Sequence, residues 1–163
     1  MSYNPKIADA FTDLNIAVME CKGGVTPEFK RLIGYVTSFS SGCLYCQAHT
    51  ILGAERFGST KERLEQVWNY SDSSVFSNAE KAALDFAFAA ASVPNGVTEK
   101  EVSQLKNYWD ANDIVEIMGV IALFGFLNRW NDSMGSALED LPIEKGEEYL
   151  KESTNWVPGK HGV

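Results

Sequence analysis

The chain is short of the residues that staple, anchor or break a protein. It has three cysteines, five prolines, and 14 Lys and Arg against 22 Asp and Glu in 163 residues, a formal charge of −8. Three cysteines cannot build the disulfide framework of a small secreted domain, and the odd number leaves one thiol over. Scarce positive charge opposes binding to a polyanion, so neither nucleic acid nor a membrane surface is expected as a partner. No uninterrupted apolar run approaches the roughly 18 to 20 residues of a membrane span, and Met1-Ser2-Tyr3-Asn4-Pro5-Lys6 lacks the basic and apolar regions of a signal peptide. No Pro-rich, Gly/Ser-rich or like-charge block stands where a linker would. These absences lead us to expect a cytoplasmic protein with a single domain over residues 1–163. Only a C-terminal tail from about residue 152 should lie outside its core.

Strand periodicity is missing too, since no segment alternates apolar and polar residues convincingly. Helical spacing fills its place. Asn4-Pro5 reads as a cap followed by proline at the first helical position, and Ile7, Ala10, Phe11, Leu14 and Val18 then recur at three- and four-residue steps towards Cys21. Thr26-Pro27 repeats that start, with Phe29, Leu32, Ile33 and Val36 forming a second stripe that ends near Ser40-Ser41-Gly42. A third helix over about 43–57 stops at Gly58. Capping boxes at Ser59 with Glu62, Ser77 with Glu80 and Thr98 with Glu101 open helices of roughly 60–70, 78–92 and 99–110, and Asp113 with Glu116 opens one of roughly 114–130. The expected fold is therefore an all-α, single-domain bundle of about seven helices. The helix from Ile114 to Trp130 is apolar on nearly every side. A helix apolar all round is buried all round, and in a small domain the second buried face predicts self-association.

The two cysteines just beyond the Gly42 break carry the chemistry. Cys43 and Cys46 stand three residues apart at a helix start, with His49 three further on. Unpaired N–H groups at a helix N-terminus favour thiolate, the reactive form of cysteine. Residues at i and i+3 have Cβ atoms about 5 to 6 Å apart, whereas a disulfide prefers about 3.5 to 4.5 Å, so closing this pair needs a local distortion. That distortion costs least in a first turn after glycine, and it suits a disulfide that cycles. His49 shares a helix face with Cys46 and is turned away from Cys43, which makes it the expected base for Cys46. The helix dipole argues the other way, for Cys43 as the more acidic thiol. Histidine proximity is given more weight here, and Cys46 is expected to attack. A structural zinc site would need a fourth ligand from the distant Cys21 or His161, so no metal is expected. Cys21 reads as a small core residue at a helix end, and His161 as part of a frayed terminus.

The stretch from Pro27 to Gly58, with its Gly-Cys-x-Tyr-Cys-x-x-His core, resembles the alkylhydroperoxidase AhpD and carboxymuconolactone decarboxylase superfamily. Asn78-Ala79-Glu80-Lys81-Ala82-Ala83-Leu84-Asp85-Phe86-Ala87 and Asn128-Arg129-Trp130-Asn131 resemble its peroxidase-related branch. The resemblance implies an all-helical trimer or hexamer that reduces small hydroperoxides with electrons from an external thiol, without an organic cofactor. It implies Cys46 as the peroxidatic thiol, Cys43 as the resolving thiol and His49 as part of a proton relay. The chain departs from the family pattern twice. Thr50 occupies the family's histidine position, one residue after His49, and Arg31 stands where a glutamate is usual, twelve residues before Cys43. An arginine cannot accept a proton, although it could stabilise a thiolate. Glu28, Glu80 and Glu116 are candidate substitutes in the relay. The rival readings are a carboxymuconolactone-decarboxylase-like lyase, in which the dithiol has no evident task, and a non-enzymatic redox sensor.

Overall fold

The computed structural model describes residue 1 and residues 3–162, and every regular element among them is helical. In order these are α1 (Pro5–Met19), α2 (Pro27–Ser40), α3 (Leu44–Arg56), α4 (Lys61–Gln66), α5 (Asn78–Ala91), α6 (Glu99–Lys106), α7 (Ala111–Met134), α8 (Asp140–Tyr149) and α9 (Lys151–Thr154), with 3-10 turns at Val67–Asn69 and Gly159–His161. The expected all-α bundle of about seven helices is present, and α8 and α9 are additional. Asn4 and Thr26 cap α1 and α2 through their side-chain oxygens. The boxes at Ser77 with Glu80 and Thr98 with Glu101 are closed from both sides.

Two starts fall elsewhere than expected. Thr60, not Ser59, caps α4, because the Ser59 hydroxyl donates to Glu28 at 2.7 Å instead. Asp110, not Asp113, caps α7 by accepting from the N–H groups of Asn112 and Asp113, while Asp113 itself accepts from Gly24 N–H at 3.1 Å. The helix therefore begins earlier than expected and continues past Trp130 until Gly135, in the left-handed conformation, ends it.

Helix α2 is the centre of the packing and meets α3, α5 and α7. From Phe29 to Ser38 only Arg31 escapes full burial. Gly34 lets α7 approach, since a Cβ there would lie 2.6 Å from the Phe124 ring. The α7 helix is long and apolar enough to cross a membrane by length and composition alone, which reading apolar runs residue by residue had not suggested. Here Ile117, Val120, Leu123 and Phe124 face the bundle. It is not buried all round within one chain, because Val115, Met118 and Phe126 remain exposed.

The C-terminal segment departs most from expectation. His161 is 1% exposed, not frayed. Trp156 is buried against Gly146 and donates its indole N–H to Leu44 O at 3.3 Å, which draws the segment back across the start of α3. His161 then pairs with Leu138 through its backbone carbonyl.

Candidate active site

The site is built where α2 ends and α3 begins. Gly42, at φ +75°, turns the chain in a conformation that costs other residues steric strain, and Cys43 N–H bonds back to Ser38 O at 3.0 Å. Cys43 is then the N-cap of α3 and not its first helical residue. Its sulfur takes the place of the usual capping oxygen, accepting from Cys46 N–H at 3.4 Å. Both thiols are free and buried.

The two thiols also act on each other, and the consequences are opposite. Accepting the Cys46 proton draws the Cys43 pKa below the ordinary thiol value. Giving that proton, together with burial, pushes the Cys46 pKa up, while the Asn131 amide pulls it partly back. The pair behaves as one titrating unit that loses its first proton readily and its second with difficulty. Asn131 comes from the last turn of α7 and lies 3.5 Å from Cys46 Sγ. Ser136 fixes that amide by donating to its oxygen at 3.0 Å. The Ser136 carbonyl faces His161 Nδ1 at 2.8 Å, so the C-terminal segment supports this wall of the site.

Cys46 and His49 line one cavity of about 460 Å³, whereas Cys43 lies behind Cys46 and does not reach it. Phe11, Met19, Phe124, Leu127 and Trp130 supply apolar wall, and Arg31, Tyr45 and Asn131 also border the space. The His49 ring stacks on Tyr45 with centroids 4.3 Å apart. Its Nδ1 faces Tyr45 O at 3.2 Å and its Nε2 faces Glu139 at 3.1 Å, so both nitrogens have partners other than sulfur. Thr50 turns its hydroxyl to Cys46 O at 2.8 Å and stays within the helix. The three candidate substitute carboxylates are engaged elsewhere. Glu28 and Glu80 hold Arg63 at 3.1 and 2.7 Å, and Glu116 holds Lys30 at 3.1 Å. Among the described residues no three His, Cys, Asp or Glu side chains are grouped to hold a metal.

Sequence reasoning missed Asn131 and Glu139 as members of the site. Asn131 lay inside a segment noted for its resemblance, yet nothing local marked it as a partner of Cys46. Glu139 stands at the N-cap of α8 without forming a side-chain cap, because its carboxylate reaches His49 instead.

The fold and site define an all-helical bundle whose dithiol opens, through one sulfur, onto a substrate-sized cavity. Residues 5–89 match the model of the carboxymuconolactone decarboxylase family, and the chain belongs to that family. It is 32% identical to the Escherichia coli K12 protein YnjA over 103 residues, which are 63% of this chain and 53% of YnjA, so the match spans about half of that relative's length. The debrominase Bmp8 is similar in structure, with a TM-score of 0.87 at 32% identity over 91% of this chain and 79% of that one. A cysteine-to-alanine variant of Bmp8 in complex with 2,3,4-tribromopyrrole is similar to the same extent, with a TM-score of 0.88. An alkylhydroperoxidase AhpD-core, peroxidase-related protein from Ralstonia eutropha JMP134 is 25% identical, with a TM-score of 0.76 over 86% of this chain and 74% of that one.

Proposed function

We propose that the Cys43/Cys46 dithiol performs two-electron reduction of a small organic hydroperoxide. The observation that carries this reading is that one sulfur of two neighbouring buried thiols borders a cavity of substrate size. Once the pair has lost one proton, the remaining proton moves from Cys46 to Cys43 and leaves the cavity-facing sulfur as thiolate. That thiolate attacks the terminal peroxide oxygen, the O–O bond breaks, and the alkoxide takes a proton and departs as alcohol. Cys46 is then a sulfenic acid. Cys43 displaces its oxygen as water and the disulfide forms, so the thiols have lost two electrons and the peroxide has gained them. An external thiol restores the pair. We assign to His49, which lines the same cavity and has Glu139 beside it, the supply of the proton to the departing oxygen. The exposed apolar face of α7 supports assembly of several copies, which we take to be a trimer or hexamer acting in the cytoplasm.

Similarity to Bmp8 favours a second substrate for the same sulfurs, a brominated aromatic ring. Cys46 would take the bromine, the ring carbon would gain a proton, and Cys43 would displace bromide to form the same disulfide. Peroxide loss and bromide release, measured side by side with a dithiol reductant, separate the two. On the peroxide reading, Cys46→Ser shows no first oxidation and Cys43→Ser stalls at a trapped sulfenic acid. His49→Ala should slow that first step by about 10² to 10⁴. A fast first oxidation in Cys46→Ser, with Cys43→Ser silent, would reverse the roles and favour the sulfur that the helix dipole selects.

A further inference from the structure

We propose that Arg31 makes the Cys46 cavity selective for apolar, ring-sized substrates that carry an anionic group, a carboxylate being the simplest. The proposal rests on the reading of this cavity as the substrate site. Arg31 projects from α2 across α3, and its stem packs so closely over Gly53 that a Cβ there would lie 3.0 Å from Arg31 Cγ. Its guanidinium carbon sits 3.9 Å from the centre of the Phe57 ring, and Nη1 donates to Pro27 O at 2.9 Å. Three contacts thus hold the fork in place before any ligand arrives, and a preorganised guanidinium loses little entropy on binding. One recorded bond leaves most of its five N–H donors without an acceptor among the described residues.

Most other buried or half-buried cations of this acid-rich chain pair with carboxylates, Lys81 with its single bond to Ser71 O being the exception. Lys30 pairs with Glu116, Arg63 with Glu28 and Glu80, and Lys145 with Glu55 and Glu148. No carboxylate among the described residues forms an ion pair with Arg31. Glu20 acts on it from a distance, and burial outweighs that influence and draws its pKa below the usual arginine value. The thiolate pair is not its partner either, since the charges that act most on the two sulfurs are each other and Asp132. The fork is half-buried, so its free donors face water that an incoming anion can displace. The negative charge of Asp132 near the sulfurs and of Glu139 at His49 would turn an anionic group away from that end of the cavity and towards Arg31, which leaves the reducible end at Cys46. The intervening wall of Phe11, Phe124, Leu127 and Trp130 suits an aromatic body.

Calorimetric titration of the reduced protein with 4-isopropylbenzoate and with its neutral counterpart 4-isopropylbenzamide tests the subsite without any turnover. The benzoate should bind about 10 to 100 times more tightly, the reach of a bidentate charge-assisted contact. Arg31→Gln should remove that preference by weakening the benzoate alone, and Arg31→Lys should keep part of it. In turnover, Arg31→Gln should raise KM for ring-carboxylated cumene hydroperoxide by a similar factor, and by much more than it changes KM for cumene hydroperoxide itself. Equal binding of the two ligands by the native protein, or equal weakening of both in Arg31→Gln, would overturn the proposal. If the benzoate preference is present but neither hydroperoxide is consumed, the subsite stands and the peroxidase reading fails.

Discussion

Cys21 and the Cys43/Cys46 pair are two ways of burying sulfur in one small bundle, and proximity to positive charge does not pick out the pair proposed to react. Cys21 lies just past α1, 2.8 Å from the ammonium of Lys30, while among the described residues no cation is hydrogen-bonded to either member of the pair. Yet Lys30 is fully committed. Its three N–H groups serve Val18 O at 3.0 Å, Cys21 O at 3.1 Å and the Cys21 sulfur, with Glu116 beside them at 3.1 Å. The Cys21 thiol in turn donates to Val18 O at 3.3 Å. This arrangement fastens the end of α1 to α2 and α7. Among the described residues Cys21 has no second cysteine beside it, whereas the two sulfurs at α3 lie together and one of them lines a cavity. The charge of that pair is supported by its own shared proton and by the N–H of Cys46. On the proposed function, a cavity and a second sulfur, more than a nearby cation, mark the redox thiol.

The largest expected effect tests that distinction directly. Mild peroxide should convert Cys43 and Cys46 to a disulfide, read by mass spectrometry as loss of two hydrogens within one peptide, and leave Cys21 a free thiol. Cys46→Ser should abolish peroxide turnover, and Cys21→Ser should change it by less than about twofold. Faster oxidation of Cys21 than of the pair would break the comparison. The next effect concerns stability. Lys30→Met leaves Glu116 and two carbonyls without their buried partner and should cost about 3 kcal/mol in urea unfolding. Cys21→Ser keeps a donor and an acceptor in place and should cost about 1 kcal/mol or less. A Lys30→Met variant as stable as the native chain would show that the buried ammonium is not what fastens α1.

The two sulfur sites also differ in how far they could be read from the sequence. The dithiol, its helix start and His49 were legible because their spacing is local, as were the caps at Asn4, Thr26, Ser77 and Thr98. Lys30 was not, since a lysine in an otherwise apolar stripe looks like a solvated residue until α1 and α7 bring carbonyls and a carboxylate to it. Asn131 and Glu139 reach their partners from 85 and 90 residues away, and the local pattern holds no trace of either contact. The start of α8 was hidden for the same reason: Glu139 does not cap it, so the usual start signal is missing. His161 was misjudged because terminal residues usually fray, but Trp156, with Leu44 as its partner, holds the segment down.

A smaller effect asks how much the neutral groups around the pair contribute in place of a cation. The Asn131 amide donates towards Cys46 Sγ and favours its charged form, so removing it must raise the pKa at which that sulfur ionises. Asn131→Leu should therefore move the iodoacetamide alkylation profile of the Cys43→Ser variant to higher pH. One pKa unit corresponds to about a tenfold slower rate at neutral pH. Ser136→Ala, which only frees the amide to turn, should have a milder effect in the same direction. An unshifted profile would leave the helix N–H groups as the main support of the charge.

The smallest effect is expected at Glu139, and it separates positioning from proton transfer. Its side chain is 66% exposed, so solvent and salt screen most of its charge at His49. Glu139→Gln keeps a polar partner for Nε2 and removes only that screened charge. The first peroxide oxidation should slow by no more than about threefold at neutral pH, and the difference should shrink further as salt is added. The same substitution would act very differently if Glu139 carried the proton. The family's usual relay glutamate is replaced by Arg31, and a carboxylate arriving from α8 could fill its role from another direction. A loss approaching that of His49→Ala, insensitive to salt and with a changed pH profile, would mark Glu139 as that carboxylate. The dithiol would then differ from Cys21 in having its own route for protons as well as a second sulfur.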